Sequence, residues 1–391
     1  MSKIVFFSIP AYGHTNPTIE VVRALTQRGN TVRYYSFDMF RGKIEAAGAQ
    51  FVSCDAYLPP IPKDFEYRTR YDFSSLISMI THTTVSMEVS VCTELKDFLP
   101  DCIVSDSICI WGKLFAKKMK IPMVCSTTTF AFNGDTAKMM KPGVRELFHT
   151  LTGIPKTNKN IRLLRQHGYH IKNMVQLIQN DKETDTIVYT SRAFQPLSET
   201  FGEKYTFIGP SIPNLSTDIV QKKRPLIYIS LGTVIRNPEF YQNCIDALRN
   251  SAYDVVMSVG DERHIALLQD IPRQFQVKSS VPQLQVLQKA DVCVTHCGMN
   301  SVNESIYFEV PMVLAPQQSE QSAVAQRTQE VGAGIILKSS KPENIKAAVT
   351  KILSNKEHYR KNIKIIADSF RSAGGPKKAA DKIEQVIRCY R

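Results

Sequence analysis

Residues 281–321 read VPQLQVLQKADVCVTHCGMNSVNESIYFEVPMVLAPQQSEQ, and this stretch shows most clearly how the chain is expected to fold. The apolar run at 292–295 predicts a buried strand, and a His-Cys-Gly loop follows it. A helix is then expected to open at Asn300 or Ser301, before the run VPMVLAP supplies a second buried strand. A strand, a crossover helix and another buried strand form the repeating unit of a parallel α/β sheet.

The same alternation extends over most of the chain. Further strands are predicted at 3–9, 31–36, 49–53, 102–105, 123–126, 186–189, 205–208, 226–231, 254–259, 274–279 and 312–314, with a short one after Gly334. Helical patterns close the chain from Lys341, Lys356 and Pro376. Residues 211–224 carry Pro213 and a Lys-Lys-Arg run, which is typical of a linker. The sequence therefore predicts α/β domains at 1–212 and 225–391, joined by a linker at 213–224.

Composition narrows the function classes. The chain has 391 residues and a formal net charge of +13, but its Lys and Arg residues are spread out, densest from residue 338 onward. Without a basic run of five or an aromatic-interleaved RNA motif, we expect no nucleic-acid partner. No apolar run approaches the roughly 20 residues of a membrane helix, and the run at 4–9 is too short for a secretion signal.

The nine cysteines contain no C-x-x-C pair, and Cys102, Cys125 and Cys293 lie inside apolar segments. Cysteines in such segments usually pack as small hydrophobic side chains. We therefore expect no disulfide, no zinc site and a cytoplasmic location.

The residues after the strand at 292–295 favour a diphosphate site. A helix N-terminus presents unbonded amides to an anion, and His296 and Ser301 add further donors while Gly298 allows close backbone approach. Glu304, one turn inside the helix, is placed to accept hydrogen bonds from a ribose diol. Glu320 and Gln321 follow the next strand at its carboxyl end, where hydroxyls of a sugar would suit them. Neither half carries G-x-G-x-x-G or a P-loop after its first strand, which disfavours dinucleotide and ATP sites.

This segment resembles the nucleotide-sugar signature of the UDP-dependent glycosyltransferases of family 1, in the bacterial macrolide and flavonoid branch. The resemblance implies that Val281 and Gln283 flank the uracil and ribose. The other implied donor residues are His296, Asn300 and Ser301 at the diphosphate, Glu304 at the ribose, and Glu320 with Gln321 at the sugar. The loop at 230–233 resembles the family's second phosphate-side loop, with the Thr233 hydroxyl directed at the leaving diphosphate.

The N-terminal half agrees with this resemblance. Residues 10–17, PAYGHTNP, resemble the family's G-H-x-N-P loop, in which the histidine, here His14, is the acceptor base. The resemblance also implies an aspartate partner at the end of a later strand, and Asp106 fits it. Asp106 is equally placed to cap the helix that contains Trp111. The implied fold is GT-B: two Rossmann-like doubly wound domains that face a cleft, with the last helix packed back on the N-terminal domain.

The resemblance implies an inverting, metal-independent O-glycosyltransferase that uses a UDP-sugar, expected to be UDP-glucose, and needs no further cofactor. The expected acceptor is a hydroxyl on a hydrophobic small molecule such as a phenol, flavonoid or macrolide. Alternatives are a lipid or sterol glucosyltransferase at the membrane surface, a UDP-sugar epimerase and a non-catalytic sensor. Membrane association is not expected.

Two stretches, 57–94 and 135–181, fall outside the strand–helix alternation and are rich in methionine and aromatic residues. Their apolar side chains would either line the acceptor pocket or close the core. The six remaining histidines show no pairing in the sequence and are expected at the surface: His82, His149, His167, His170, His264 and His358.

Overall fold

The computed structural model describes residues 1–59, 73–139, 144–173, 183–213, 215, 223–232 and 237–390. They form two compact units. Unit 1 comprises Met1–Thr190, Leu197–Ser211 and Ala373–Arg391, and unit 2 comprises Ser191–Pro196 and Ile212–Ser372. Most of the predicted linker, 213–224, lies outside the described residues.

The described strands and helices alternate as the sequence predicts. The strands are β1 (Lys3–Phe7), β2 (Thr31–Ser36), β3 (Gln50–Ser53), β4 (Cys102–Asp106), β5 (Met123–Thr127), β6 (Asp185–Val188), β7 (Tyr205–Phe207), β8 (Leu226–Ser230), β9 (Asp254–Ser258), β10 (Phe275–Lys278), β11 (Val292–Thr295), β12 (Met312–Leu314) and β13 (Gly334–Ile336). The helices are α1 (Tyr12–Gln27), α2 (Arg41–Ala46), α3 (Phe73–Phe98), α4 (Ile110–Met119), α5 (Gly134–Met139), α6 (Val144–Gln166), α7 (Pro238–Leu248), α8 (Glu262–Ile265), α9 (Gln283–Leu287), α10 (Met299–Tyr307), α11 (Ser319–Glu330), α12 (Pro342–Ser354), α13 (Lys356–Ser372) and α14 (Gly375–Tyr390).

Unit 1 is built on a parallel sheet with the strand order β3-β2-β1-β4-β5-β6-β7. The strands are apolar without alternation because helices cover both faces of such a sheet. The direction of strand order reverses between β1 and β4, and ligands of open α/β sheets bind at the carboxyl ends of the strands at such a reversal. The residues that follow β1 and β4 therefore form the first candidate site.

Unit 2 repeats this arrangement with a parallel sheet in the order β10-β9-β8-β11-β12-β13. Here the order reverses between β8 and β11, which pair from Ile227↔Val292 to Ser230↔Thr295. The loop after β8 and the His-Cys-Gly loop after β11 therefore leave the same edge of the sheet side by side.

Helix α14 belongs to unit 1 and is held there by ion pairs. Arg28 donates from Nη1 to Asp381 at 2.7 Å and to Glu384 at 3.0 Å. Lys382 lies 2.6 Å from the buried carboxylate of Asp185 on β6. The last helix of the chain thus completes the packing of the N-terminal sheet.

The short segment Ser191–Pro196, which the sequence alone assigned to the N-terminal domain, belongs to unit 2. Arg327 on α11 donates to the backbone oxygens of Ala193 at 2.8 Å and Phe194 at 3.0 Å. The Phe194 ring packs edge-on against Phe370 on α13, with ring centroids 5.9 Å apart. These long-range contacts have no local sequence signal, which explains the difference.

Candidate active site

The first site centres on His14 and Asp106, which the fold brings together. His14 lies in the first turn of α1, directly after β1, and Asp106 is the last residue of β4. Nδ1 of His14 is 2.8 Å from Oδ2 of Asp106, and the two side chains are 19% and 1% exposed. The buried carboxylate therefore orients a ring that stays accessible on one side.

Asp106 has a second role that fixes its orientation. Its Oδ1 accepts backbone N–H bonds from Ile108 at 2.9 Å and Cys109 at 3.3 Å, at the start of α4. Gly112 in that helix permits the close packing, since a Cβ there would lie 2.4 Å from the Ser105 hydroxyl. Asp106 thus caps the segment that enters α4 and binds the imidazole at the same time.

A third residue, Thr128, touches the pair. It follows β5, the next strand of the sheet, and its Oγ1 lies 3.3 Å from Nδ1 of His14. Thr128 is a site residue that was missed at the level of sequence, although its place after a neighbouring strand, at the carboxyl end, was a usable signal.

A cluster of buried hydroxyls supports the start of α1. Ser8 shares hydrogen bonds of 3.1 Å with Thr15 and with Ser36, and Thr18 shares one of 2.7 Å with Tyr34. Burial raises the pKa of the Tyr34 phenol, so it stays a neutral hydrogen-bonding group. These bonds fix the β1–α1 connection that carries His14.

The pair has a defined chemical capacity. When Nδ1 carries the proton that Asp106 accepts, the lone pair of the neutral imidazole is on Nε2. The carboxylate also stabilises the imidazolium that forms when Nε2 takes a proton. The arrangement is that of a general base with its orienting acid.

The second site lies in unit 2, where the His296 ring packs between two glycines. A Cβ on Gly232 would lie 2.7 Å from Cε1 of His296, and one on Gly298 would lie 2.6 Å from Nε2. Gly232 also has a φ of +78°, which favours glycine. Both glycines are therefore required by the ring itself, a reason that the sequence analysis did not foresee for Gly298.

His296 is a neutral group at physiological pH. Burial lowers its pKa to about 4. Its Nδ1 is buried, and within the described ranges it has no hydrogen-bond partner. A neutral imidazole carries one N–H donor, which suits contact with an anion's oxygen without adding a charge.

The diphosphate expectation also depends on α10, which begins at Met299 with Gly298 as its N-cap. This is one or two residues before the predicted start at Asn300 or Ser301. Among the described residues, no side chain forms a capping hydrogen bond at Gly298. The first amides of a helix have no carbonyl partner within the helix and can donate to an anion. Asn300 and Ser301 both lie in the first turn of the helix.

Glu304, one turn further along α10, is joined to Gln283 at the start of α9. Nε2 of Gln283 donates to Oε2 of Glu304 at 2.5 Å and to Oγ of Ser301 at 3.3 Å. Burial raises the pKa of Glu304 to about 7, and the Gln283 bond opposes that shift. Three of the predicted donor residues therefore form one connected group.

The remaining predicted residues have different surroundings. Glu320 and Gln321 open α11 after β12; Glu320 is exposed, whereas Gln321 is buried and accepts the backbone N–H of Gln317 at 2.9 Å. Val281 is half-buried two residues before α9. Thr233 lies outside the described residues.

The other histidines are expected from the sequence to lie unpaired at the surface, and the lack of pairing is wrong for His167, whose side chain is 34% exposed. Its Nδ1 lies 2.7 Å from the buried carboxylate of Glu88, which also binds Lys118. This interaction joins residues 79 positions apart, so the local sequence gave no sign of it.

From the sequence, the stretches 57–94 and 135–181 are expected either to line the acceptor pocket or to close the core. Residues 73–98 form the single helix α3, and Met79 and Met87 are buried in the unit 1 core. Met79 and Met87 therefore close the core, which is one of the two roles expected for these stretches. Of the other apolar residues in these stretches, Ile80 is also buried in that core. Others lie outside the described residues, among them Phe65, Tyr67, Tyr71, Met140 and Met174.

Two features of the described ranges bear on metal binding and on membrane insertion. No three His, Cys, Asp or Glu side chains in those ranges are grouped to hold a metal ion. None of the helices formed by those residues is both long and apolar enough to span a bilayer.

A comparison with solved structures identifies the fold class of the chain. The crystal structure of the glycotransferase of kitacinnamycin matches with a TM-score of 0.83 at 24% identity, covering 98% of each chain. With two parallel-sheet α/β units of this kind, the chain has the GT-B fold.

Sequence comparison identifies the family. The family described as "Erythromycin biosynthesis protein CIII-like, C-terminal domain" matches residues 242–386. The "Uncharacterized UDP-glucosyltransferase YojK" of Bacillus subtilis is 31% identical, covering 99% of this chain and 98% of its own. The "Demethyllactenocin mycarosyltransferase" of Streptomyces fradiae is 28% identical, covering 99% and 87%. The chain belongs to this family of bacterial UDP-glycosyltransferases, and it is an enzyme.

Proposed function

We propose that this enzyme transfers glucose from UDP-glucose to a hydroxyl of a hydrophobic small molecule, with inversion at the anomeric carbon. The observation that carries the proposal is the 2.8 Å bond between His14 and Asp106 at the carboxyl edge of the unit 1 sheet. A neutral hydroxyl is a weak nucleophile, so a positioned base must take its proton during attack.

The proposed step is a single displacement. Nε2 of His14 takes the acceptor proton while the acceptor oxygen bonds to the anomeric carbon, and the bond from that carbon to UDP breaks. Asp106 stabilises the resulting imidazolium. Attack opposite the leaving group converts an α-linked donor into a β-glycoside.

The donor is proposed to bind in unit 2. The amides at the start of α10, with His296, Asn300 and Ser301, would receive the diphosphate. Gln283 and Glu304 would bind the ribose, and Val281 would lie against the uracil. Glu320 and Gln321 would bind the glucose, and Thr233 the leaving diphosphate. Fixed dipoles at a helix N-terminus stabilise the charge that develops on UDP, so we propose that turnover needs no metal ion.

The acceptor class is proposed from the relatives. YojK is named as a UDP-glucosyltransferase, and the Streptomyces fradiae relative is named as a mycarosyltransferase. A phenol, flavonoid or macrolide hydroxyl is the acceptor that we propose, with phenols faster because they ionise more readily.

A product assay tests the function. The protein is incubated with radiolabelled UDP-glucose and a panel of phenols, macrolides, sterols and diacylglycerol, with and without anionic liposomes. We expect glucosides of the soluble acceptors, formed equally in EDTA. Turnover of lipids alone, and only with liposomes, would contradict the acceptor class. A labelled UDP-sugar epimer, or no product, would contradict glycosyl transfer itself.

A further inference from the structure

One buried hydroxyl outside the proposed contacts bears on the donor site. Tyr228 lies on β8 and is only 2% exposed. Its hydroxyl donates to Oε1 of Gln283 at 2.9 Å. Burial raises the pKa of the Tyr228 phenol, so the group keeps its proton and acts as a donor.

This bond selects one orientation of the Gln283 amide. An amide presents an acceptor on one side and donors on the other. With Oε1 held by Tyr228, Nε2 is turned toward Oε2 of Glu304 at 2.5 Å and Oγ of Ser301 at 3.3 Å. The rotated amide would set Oε1 against a carboxylate, and two acceptors repel each other.

The orientation matters because Glu304 is partly buried. Burial favours its protonated form, and the N–H of Gln283 favours the carboxylate. A carboxylate can accept both hydrogen bonds of a ribose diol, whereas a protonated carboxyl group must use one oxygen as a donor. Tyr228 therefore acts on the ribose site through Gln283, without touching the nucleotide.

We propose that Tyr228 is a positioning residue that makes the donor site select ribonucleotides over 2′-deoxyribonucleotides. This inference rests on the proposed function of unit 2 as a UDP-sugar site. The selectivity arises because a ribose offers Glu304 two hydroxyls and a 2′-deoxyribose offers one. A hydrogen bond to a charged acceptor corresponds to about a 10- to 100-fold change in affinity.

The test is calorimetric titration with UDP and 2′-deoxy-UDP, which share base and diphosphate. We expect wild-type protein to bind UDP about 10- to 100-fold more tightly. Tyr228→Phe keeps the ring and its packing, and it is expected to weaken UDP binding roughly 10-fold. Binding of 2′-deoxy-UDP, which offers Glu304 one hydroxyl, should weaken by a smaller factor of about 3. The ratio of the dissociation constant for 2′-deoxy-UDP to that for UDP should therefore fall.

Two further variants make the result specific. Tyr35→Phe removes another buried tyrosine hydroxyl bond, to Glu94 in unit 1, and should leave the ratio unchanged. Gln283→Met removes the amide at a half-buried position and should collapse the ratio even if Tyr228→Phe fails to fold.

Each outcome has a distinct meaning. Equal weakening of both nucleotides by Tyr228→Phe, or an unchanged ratio in Gln283→Met, would overturn the positioning role. Equal affinities in wild-type protein would overturn the ribose selectivity while leaving the donor site in place. If wild-type protein binds neither nucleotide, the proposed function of unit 2 fails, and this inference fails with it.

Discussion

Nδ1 of His14 lies 2.8 Å from Oδ2 of Asp106, although 92 positions separate the two residues in the chain. The contact exists because β1 and β4 are neighbours in the sheet, paired from Ile4↔Cys102 to Phe7↔Ser105. His14 follows the first of these strands and Asp106 ends the second, so the strand order itself creates the pair.

Removing the base should slow turnover without preventing donor binding. His14→Ala is expected to lower kcat roughly 10²–10⁴-fold, the usual contribution of a general base. Asp106→Asn should also lower kcat, by a smaller factor. Steady-state kinetics together with UDP titration check both variants, and His82→Ala, at an exposed position on α3, is the control. Near wild-type turnover in His14→Ala would contradict the assignment.

Filling the space beside His296 should damage the donor site. In Gly298→Ala the new Cβ would lie 2.6 Å from Nε2 of the ring, so the ring or the start of α10 must shift. We expect UDP affinity to fall at least 10-fold, as measured by the thermal shift that millimolar UDP produces. Gly42→Ala is the matched control, because a Cβ there meets no atom within 4 Å. An unaltered UDP response in Gly298→Ala would count against the site.

Neutralising Glu304 should stabilise the unliganded protein at high pH. The carboxyl group of the unfolded chain ionises near pH 4.5, but that of the folded chain has a pKa of about 7. The folded state therefore binds the proton more tightly, and stability is lost as the pH rises through this window. We expect Glu304→Gln to have a higher Tm than wild type at pH 8, a difference that fades toward pH 5.

The same variant should bind UDP more weakly, because the amide cannot replace a carboxylate that accepts two hydroxyls. Glu203→Gln, at an exposed position, should show neither effect. A Tm difference that does not change between pH 5 and pH 8 would contradict a raised pKa for Glu304 in the folded protein.

Breaking the anchor of α14 should destabilise unit 1. Lys382→Met leaves the buried Asp185 carboxylate with one of its two lysine partners, Lys204 at 3.1 Å. We expect a loss of about 1–3 kcal/mol in the free energy of unfolding, measured by urea denaturation. Lys364→Met breaks an exposed pair with Asp368 and should cost less than about 0.5 kcal/mol. Equal effects of the two variants would contradict the anchoring role.

Much of the fold is predictable because buried parallel strands are uninterrupted apolar runs. The predicted strands at 31–36, 292–295 and 312–314 match β2, β11 and β12 residue for residue. Helix α1 is different: its amphipathic pattern begins at Thr18, yet the helix begins at Tyr12. The first turn of α1 shows no apolar periodicity, and Pro17 lies inside the helix. The local sequence therefore favoured a loop at these positions.

The candidate site likewise contains residues that the sequence indicates and residues that it does not. Asp106 ends a strand, His296 follows one, and His14 and Glu304 lie in the helices that come next. These side chains are chemically distinctive, so their positions are readable from the sequence. Tyr228 reads as an ordinary core residue within an apolar run, and its bond to Gln283 spans 55 positions. Contacts of this kind are set by the sheet order and by side-chain orientation, which no local pattern encodes.

The anomeric configuration of the product is the most direct test of inverting transfer by a single displacement. We expect UDP-α-glucose and a phenol to give only the β-glucoside, identified by proton NMR, with one UDP released per glucoside formed. Inversion is the outcome of a single displacement, which is the step that the His14–Asp106 pair is proposed to assist. An α-glucoside would contradict the proposed inverting mechanism, because retention requires a mechanism other than one direct displacement.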